Sequence, residues 1–282
     1  MTNILEAIIN IVNNPNLEIR NHYTGRNRAN SVGEALEIFV KDAFANITYA
    51  VDERERMERY NEVFSWLGNQ NHPPDIMIRN GDAIEVKKTQ SVNSDLALNS
   101  SYPKSNILSS SKMITQECRT CEDWVEKDLI YCVGHTDDER VNSLWMVYGN
   151  IYAAKHETYQ LIKQKIIEGI NDIPNVELAD TDELGRVNHV DPLGITNLRI
   201  RGMWQIQNPR RVFNYLHNQT NNKFELVAII PTSKYLTFPA ISKNRIEEFG
   251  NPNLTIDDVR VKDPNNPAKL LNAKLIIFKI AN

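Results

Sequence analysis

The sequence feature that most constrains the fold is the stretch PPDIMIRNGDAIEVKK at residues 73–88, in which apolar and charged side chains alternate. The two apolar runs predict short strands that each bury one face. Asn80-Gly81 between them is a strong turn signal, because a glycine there tolerates the positive φ of a bulged turn. A two-residue loop would mix the buried and the charged faces. We therefore expect a three-residue loop that pairs Ile76 with Ile84.

The same register brings three charged side chains together. Asp75 faces Glu85 across the hairpin, and Lys87 lies on the same side, two residues further along. Two carboxylates suit Mg²⁺, which prefers oxygen ligands and keeps several bound waters. We expect that Mn²⁺ can substitute for it, and that the Val86 carbonyl oxygen is a further ligand. A lysine beside the ion can orient the water that attacks a phosphodiester. The alternative is a solvated strand face with a cross-strand ion pair.

Length and composition narrow the class of protein. With 282 residues and 41% hydrophobic content, the chain can bury the core of one large α/β domain. The N-terminal segment has amphipathic helical spacing without a basic leader, and no apolar run is long enough to cross a membrane. We therefore expect no signal peptide and no membrane partner. Three cysteines, an odd count, favour a reducing cytoplasm.

A basic stretch lies within this acidic chain. The net charge is −4, yet residues 186–223 hold six Lys or Arg side chains against one Asp. Such a stretch is compatible with a cleft for double-stranded DNA, or with a solvated surface. In LRIRGMWQI, alternation places Arg199 and Arg201 on one strand face with Gln205 nearby, so these side chains are candidates to contact base edges. Arg210 and Arg211 are candidates to bind phosphates.

A polar segment follows the hairpin and has no clear periodicity, which favours a functional loop. Its neutral donors and one lysine are close in sequence to the proposed metal site, where they suit the DNA backbone or the bases near the scissile bond. An ordinary surface loop is the alternative. The candidates are Asn99, Ser100, Ser101, Tyr102 and Lys104.

The rest of the chain predicts helices packed on a sheet. Predicted helices cover residues 4–13, 32–46 (with Ser31 and Glu34 as a capping box), 52–66 and 156–171. Further predicted strands cover residues 129–133, 144–148, 198–206, 225–230 and 273–280. Segments rich in Asn, Asp, Pro and Gly are expected to be loops, at residues 172–197 and 249–270. The predicted fold class is α/β, with a central mixed sheet flanked by helices.

The charged hairpin also resembles a known motif. Pro74-Asp75, nine residues, then Glu85-Val86-Lys87 is similar to the PD-(D/E)xK nuclease motif. The longer stretches LGNQNHPPDIMIRNGDAIEVKK, ALNSSYPKS, SLWMVYGNIYAA and VDPLGITNLRIRGMW resemble the NgoPII family of type II restriction endonucleases. They run from residue 67 to residue 204, and the last 70 or so residues add little to the resemblance.

The resemblance implies a restriction-endonuclease-like core and Mg²⁺-dependent cleavage of duplex DNA by a homodimer, with GGCC as the expected site. A cognate DNA methyltransferase would share that site without needing to bind the nuclease. We expect a single nuclease domain over residues 1–282, with a catalytic core at about 31–170 and DNA-recognition and dimer elements at about 172–282.

Nucleases of this kind often add an acid from a helix that precedes the hairpin. Glu34 and Glu37 are the candidates. On a helical wheel, Glu37 lies at the border of the apolar face, whereas Glu34 points away from it and is explained by capping Ser31. Gly33 to Glu37 also matches the family pattern better. We therefore expect Glu37 to assist the site, with an ordinary border glutamate as the alternative.

The cysteines raise the question of a structural zinc ion. Cys118 and Cys121, followed by Cys132 and His135, have the residue types and the pair spacing of a zinc site, although the gap between the pairs is short. Cys132, however, lies in the apolar run LIYCV, where a buried free cysteine is common. The sequence therefore does not favour zinc.

Two other functions compete with the restriction endonuclease. One is a PD-(D/E)xK repair or recombination nuclease that recognises DNA structure, which would cut branched DNA and leave a plasmid intact. The other is a non-catalytic DNA-binding protein in which Asp75, Glu85 and Lys87 are surface charges. It would bind DNA equally well after Asp75→Ala and would never nick it.

Overall fold

The computed structural model describes residues 2–15, 17–18, 28–47, 52–69, 72–89, 91–98, 101–137, 140–172, 177–178, 184–218 and 222–282. Helices in the described chain are α1 (Ile4–Asn13), α2 (Arg28–Ala45), α3 (Glu53–Val63), α4 (Gln116–Thr120), α5 (His156–Asn171), α6 (Pro209–Val212), α7 (Thr232–Thr237) and α8 (Ala240–Glu247). The first five strands are β1 (Phe64–Trp66), β2 (Ile76–Ile78), β3 (Ala83–Thr89), β4 (Leu96–Ala97) and β5 (Asn106–Leu108).

The remaining strands are β6 (Glu126–Thr136), β7 (Val141–Tyr148), β8 (Glu177–Leu178), β9 (Gly185–Asn188), β10 (Leu198–Ile200), β11 (Gln205–Ile206), β12 (Phe224–Pro231), β13 (Leu254–Asp263) and β14 (Asn266–Ile280). One mixed sheet of nine strands contains about half of the buried residues of the described chain. Its order is β1-β2-β3-β6-β7-β12-β14-β13, with β5 paired to β6. β3 pairs with β6 in parallel, as does β7 with β12, whereas the other strand pairs of this sheet are antiparallel. The predicted α/β class, with a central mixed sheet flanked by helices, is confirmed.

Helix α2 packs its apolar face on the strand that neighbours the motif hairpin. Leu36, Val40 and Phe44 are buried along this face. Gly134 of β6 makes the close approach possible, since a Cβ at that position would lie 2.6 Å from the Leu36 Cδ1 atom. The contact fixes the height of α2 over the sheet, and with it the position of Glu37, one residue after Leu36.

Three sequence predictions differ from the structure near helix ends and loops. Helix α2 starts at Arg28, so Ser31 is inside the helix and the predicted capping box is wrong. The predicted helix 52–66 ends at Val63, because the next three residues form β1 and pair with β2. Residues 249–270 are not a loop, since β13 and the start of β14 form a long antiparallel hairpin at the sheet edge.

Two further predictions differ in the region between α5 and α6. The expected loop 172–197 contains β8 and β9, and the expected strand 198–206 is split into β10 and β11. These two strands belong to different small sheets, since β10 pairs with β9 and β11 pairs with β4. In the described part of the chain, no helix is both long enough and apolar enough to cross a membrane.

Candidate active site

The hairpin of β2 and β3 has the register that the alternation predicts. Ile76 pairs with Ile84, and the Ile78 amide donates a hydrogen bond to the Asp82 carbonyl oxygen at 2.9 Å, which leaves the three residues 79–81 in the turn. The positive φ of the turn falls on Asn80 (54°) and not on Gly81, so the predicted bulge glycine is wrong. Gly81 is needed for space instead, because a Cβ there would lie 2.8 Å from Cγ2 of Ile78.

The prediction of one buried face per strand is also wrong for this hairpin. Met77 and Ala83, on the side predicted to carry the charges, are as buried as their apolar neighbours. The physical reason is that other parts of the chain cover this second face as well: Cys118 Sγ of α4, for example, lies 3.4 Å from Met77 Sδ. Only the end of the hairpin near Asp75 opens to a cleft.

A buried ion pair holds the turn of the hairpin. Lys127 donates hydrogen bonds from Nζ to the carbonyl oxygens of Ile78 (3.2 Å) and Gly81 (2.6 Å) and forms an ion pair with Glu122. The second oxygen of Glu122 accepts a hydrogen bond from the Asn80 amide at 2.9 Å. Because both side chains are almost fully buried, these bonds fix the turn and the register of the strands that follow.

Three charged side chains meet at the open end of the hairpin. Lys87 Nζ lies 2.6 Å from Glu85 Oε1 and 3.7 Å from Asp75 Oδ2. The same Asp75 oxygen accepts a hydrogen bond from the Val86 amide nitrogen at 2.6 Å. The predicted convergence of these three side chains is therefore present in the structure.

Burial and mutual repulsion shape the charges of this group. Burial and the neighbouring Glu85 carboxylate raise the pKa of Asp75 to about 7. For Lys87, burial acts to lower the pKa, but the carboxylates of Glu85 and Asp75 outweigh it, and the pKa is raised above its usual value. The lysine is therefore held as an ammonium ion. The Asp75 carboxyl group, in contrast, is protonated in part of the molecules at neutral pH.

The site has the chemistry that a divalent ion needs. Glu85 Oε2 is buried and accepts no hydrogen bond, although an unpaired buried carboxylate oxygen is costly. A cation bound between Glu85 and Asp75 would satisfy that oxygen and remove the repulsion between the two acids. Among the described residues no cluster of three His, Cys, Asp or Glu side chains could hold a metal. Mg²⁺, which retains several waters, fits a site with two carboxylates.

Glu37 lies near this group without touching it. Its carboxylate accepts a hydrogen bond from Lys41 Nζ at 2.6 Å, one helical turn away. Its negative charge nevertheless adds to the effects that raise the pKa of Asp75 and the pKa of Lys87.

A cavity of ≈ 710 Å³ opens beside these charges. Its lining includes Asp75, Glu85, Lys87, Ser101, Tyr102, Lys104 and Arg201, all predicted as site residues. Among the described residues that line it, five lysine or arginine side chains face two carboxylates. The lining of the cleft therefore carries a net positive charge around the two carboxylates, although the net charge of the whole chain is negative.

Lys104 is the most buried cation of this cleft. Its Nζ contacts Ser101 Oγ and lies 5.4 Å from the centre of the Tyr102 ring. Burial lowers the pKa of Lys104 to about 8, with Glu85 acting in the opposite direction. Asn99 and Ser100, predicted from the same loop, lie outside the described residues.

The other predicted DNA contacts do not line the cavity. Arg199 lies in β10 and Gln205 in β11, two strands of different small sheets, and both residues are exposed. Arg201 follows the end of β10, so the single strand expected over residues 198–206 is interrupted there. Arg211 forms an ion pair with Asp95 at 2.8 Å. Arg210 is half-buried, and burial lowers its pKa while Glu225 acts to raise it.

Several lining residues were missed by sequence analysis. His156, Gln160 and Lys163 of α5 line the cavity at helical spacing i, i+4 and i+7. Trp204 joins them, with its ring edge-on to Tyr102 at 6.1 Å. The signal was present as the polar face of α5, but that helix was interpreted only through its apolar residues.

Each of the four candidate zinc ligands contacts a different neighbour or is buried by itself, and the four do not meet at one point. Cys118 Sγ lies 3.4 Å from Met77 Sδ, and Cys121 Sγ donates to the Cys118 carbonyl oxygen. Cys132 is fully buried in β6, and His135 Nδ1 lies 3.4 Å from the Thr89 carbonyl oxygen. Burial raises the pKa of Cys118 to about 12, which disfavours the thiolate that zinc requires. No zinc cluster is formed by these described side chains.

Comparison with known proteins identifies the family. A family model described as NgoPII restriction endonuclease matches residues 2–262. The type II restriction enzyme NgoPII of Neisseria gonorrhoeae is 48% identical over 280 residues, which cover 99% of this chain and the whole of that relative. No solved structure gives a significant match. The chain therefore belongs to the NgoPII family of type II restriction endonucleases, which are site-specific deoxyribonucleases.

Proposed function

We propose that this restriction endonuclease hydrolyses both strands of duplex DNA at a short palindrome, with GGCC as the expected site, in a reaction that depends on Mg²⁺. The observation that carries the proposal is the meeting of Asp75, Glu85 and Lys87 at one side of a basic cleft, with Lys87 Nζ 2.6 Å from Glu85. Family membership favours this interpretation over a structure-specific repair nuclease and over a non-catalytic DNA-binding protein.

Each residue of the group has a distinct role in the proposal. Asp75 and Glu85 would hold Mg²⁺, or Mn²⁺ as a substitute, with the Val86 carbonyl as a further ligand; the ion supplies Lewis-acid stabilisation of charge on the phosphate. Lys87 remains an ammonium ion, so it orients and polarises the attacking water by donating hydrogen bonds. Glu37 assists through a water.

The basic lining positions the DNA. Ser101, Tyr102, Lys104 and Arg201 line the same cavity as the catalytic group, where they would contact the phosphates and sugars near the scissile bond. On the same wall, Gln160 and Lys163 of α5 project into the cavity. Asn99, Ser100, Arg199, Gln205, Arg210 and Arg211 remain predicted DNA contacts, of which Arg211 would first have to exchange its Asp95 partner for a phosphate.

A second copy of the chain is required by this function. The chain carries one PD-(D/E)xK motif, whereas a palindrome presents two equivalent scissile bonds, so a symmetric homodimer places one site on each strand. The division into a catalytic core at about 31–170 and recognition and dimer elements at about 172–282 stays a prediction. We also propose that a cognate methyltransferase modifies the same site without binding this protein, and that both act in the cytoplasm.

Incubation of the purified protein with a plasmid of known sequence and Mg²⁺ tests the proposal. Discrete fragments whose ends map to one palindrome are expected, with no cleavage in EDTA or by Lys87→Ala. Uncut plasmid together with cut branched DNA would instead support the repair nuclease. Tight DNA binding that persists in Asp75→Ala, without nicking by either protein, would support the non-catalytic alternative.

A further inference from the structure

A second lysine lies at the centre where Asp75, Glu85 and Lys87 meet. Lys104 lines the same cavity as these three side chains. Burial has the largest effect on its pKa, and the charges of Glu85 and Lys87 act on that pKa as well. The two lysines come from different parts of the chain, since Lys87 lies in β3 and Lys104 in the loop between β4 and β5.

The backbone of Lys104 is tied to the strand beside Glu85. Tyr131 of β6 is the residue that pairs with Glu85 in the parallel register of β3 and β6, and it is buried. Its hydroxyl group accepts a hydrogen bond from the Lys104 amide at 2.8 Å and donates one to the Lys104 carbonyl oxygen at 3.2 Å. Gly149 packs closely on the same segment, because a Cβ there would lie 2.5 Å from the carbonyl oxygens of Lys104 and Ser105. These contacts set the position of Lys104 relative to the catalytic strand.

The ammonium group of Lys104 is buried without a counter-ion. The residue is only 9% exposed. Its Nζ contacts Ser101 Oγ and lies 3.5 Å from the Tyr102 carbonyl oxygen, but it forms no ion pair with a carboxylate of the described residues. A buried cation that lacks a partner is costly. An anionic group that enters the cleft would remove this cost, and the phosphodiester of DNA is such a group.

The two lysines differ in how firmly they hold their protons. Although burial acts to lower the pKa of Lys87, the carboxylates of Glu85 and Asp75 raise it above its usual value. Burial lowers the pKa of Lys104 to about 8. A general acid works best when its pKa lies near the pH of the reaction, and neighbouring groups whose environments separate their pKa values have different roles in many active sites. Lys104 is therefore suited to release a proton that Lys87 would retain.

We propose that Lys104 is the general acid of the cleavage reaction and gives its proton to the sugar oxygen that leaves phosphorus. The oxygen of the attacking water forms a bond to phosphorus and loses one proton to solvent. The bond between phosphorus and the leaving sugar oxygen breaks, and its electron pair stays on that oxygen. The Lys104 ammonium protonates the oxygen to a hydroxyl group and becomes a neutral amine, which regains a proton from solvent.

The inference rests on the proposed function, since it assumes that the phosphodiester is cut beside Asp75, Glu85 and Lys87. It goes beyond contact with a phosphate, because a residue that only binds DNA supplies charge and has no need to transfer a proton. A change of the leaving group therefore distinguishes the two roles.

The test replaces the leaving oxygen by sulfur. End mapping of the fragments identifies this oxygen, because 5′-phosphate ends mean that the 3′-oxygen leaves. Duplexes are then made with the natural oxygen or with sulfur at that one position of the cleavage site. A thiolate is a much weaker base than an alkoxide and leaves without a proton. Single-turnover rates are measured with protein in excess, and all reactions contain Mn²⁺, which accepts sulfur ligands more readily than Mg²⁺ does.

Lys104→Met should cut the oxygen substrate about 10²- to 10⁴-fold more slowly than the wild type, and the sulfur substrate at nearly the wild-type rate. Lys104→Arg should be similarly slow on the oxygen substrate, because an arginine keeps the positive charge but does not release its proton. Equal losses of Lys104→Met on both substrates would overturn the general acid in favour of phosphate binding. Wild-type cleavage of the oxygen substrate by Lys104→Arg would do the same.

Two further variants serve as controls. Lys112 lines the same cleft but is exposed, so Lys112→Met should have the wild-type ratio of oxygen to sulfur rates. Lys87 acts on the attacking water, so Lys87→Ala should slow both substrates alike. Wild-type protein that cuts neither substrate, or Lys87→Ala that cuts both at the wild-type rate, would overturn the proposed function and the role of Lys104 with it. Expected behaviour of Lys87→Ala, without any oxygen-to-sulfur difference in Lys104→Met, overturns the general acid alone.

The wild type provides the test if circular dichroism shows both Lys104 variants to be unfolded. The ratio of oxygen to sulfur rates should then fall as the pH rises from 7 to 10, because only the oxygen substrate needs the Lys104 proton. A ratio that stays constant over this range would overturn the proposal.

Discussion

The Asp75 carboxylate accepts a hydrogen bond from the Val86 amide nitrogen at 2.6 Å. The first acid of the site is therefore oriented by the backbone of the strand that carries Glu85 and Lys87. This bond favours the charged form of Asp75, but burial and the Glu85 carboxylate act more strongly in the other direction. Without a cation the site is electrostatically strained, and this strain leads to the first prediction.

Asp75→Asn should stabilise the metal-free protein while abolishing cleavage. The pKa of Asp75 is about 7 in the folded protein against 3.8 as its ordinary value. A raised pKa means that its contribution to stability is complete below about 3.8 and is lost as the pH rises through about 7. At pH 8 the variant should therefore exceed the wild type by about 1–3 kcal/mol in free energy of unfolding. Urea denaturation at pH 4 and pH 8 measures this difference.

Addition of Mg²⁺ supplies the control for that experiment. A bound cation should raise the melting temperature of the wild type and leave Asp75→Asn nearly unchanged. Because a proton competes with the cation for Asp75, the wild-type affinity for Mg²⁺ should fall by up to about tenfold per pH unit below pH 7. A Mg²⁺ affinity that is constant from pH 6 to pH 8 would contradict this assignment.

Lys87→Ala should slow cleavage strongly and leave DNA binding largely intact. Lys87 is in contact with Glu85 and is held as an ammonium ion, so its loss removes a donor at the reacting centre. We expect a drop of about 10² to 10³ in the single-turnover rate. The matched control is Lys88→Ala, since Lys88 is exposed and its side chain points to the other side of β3. Equal losses in the two variants would indicate a general charge effect on binding.

The sequence predicts this site well because its geometry depends on local periodicity. Alternation and loop length fix the pairing of Ile76 with Ile84, and the convergence of the three charges follows from that pairing alone. What alternation cannot reveal is burial of the second face, as at Met77, since that depends on which elements lie above the sheet.

The parts of the fold that sequence analysis missed lack a strong apolar period. β13 is an edge strand in which half of the side chains are exposed, all of them polar, so its residues resemble a loop. Conversely, α5 has the predicted bounds, but Ile162 and Ile166 on its apolar side are exposed while its polar side lines the cleft. Periodicity finds an amphipathic helix and does not say which face is covered.

Glu37→Gln should slow cleavage, whereas Glu34→Gln should not. Glu37 acts electrostatically on Asp75 and Lys87 from the neighbouring helix, whereas Glu34 on the same helix is exposed. A residue that acts through a water or through a ligand is worth about 10- to 100-fold in such sites. Single-turnover cleavage over a Mg²⁺ titration measures the effect. Equal rates for the wild type and Glu37→Gln would mean that Glu37 has no role in cleavage and serves only as the ion-pair partner of Lys41.

Lys104→Met should make the protein more stable at neutral pH and lower its affinity for DNA. Burial lowers the pKa of Lys104 to about 8, against 10.5 as its ordinary value. A lowered lysine pKa means that wild-type stability is reduced below about pH 8 and recovers as the pH rises toward 10.5. The variant should therefore gain about 1–3 kcal/mol at pH 7, and this gain should shrink by pH 10. Denaturation at the two pH values tests the sign of the effect. The control is Lys112→Met, because Lys112 lines the same cleft but is exposed to solvent. A gain that is equal at both pH values would mean that the methionine improves packing without removing a buried charge.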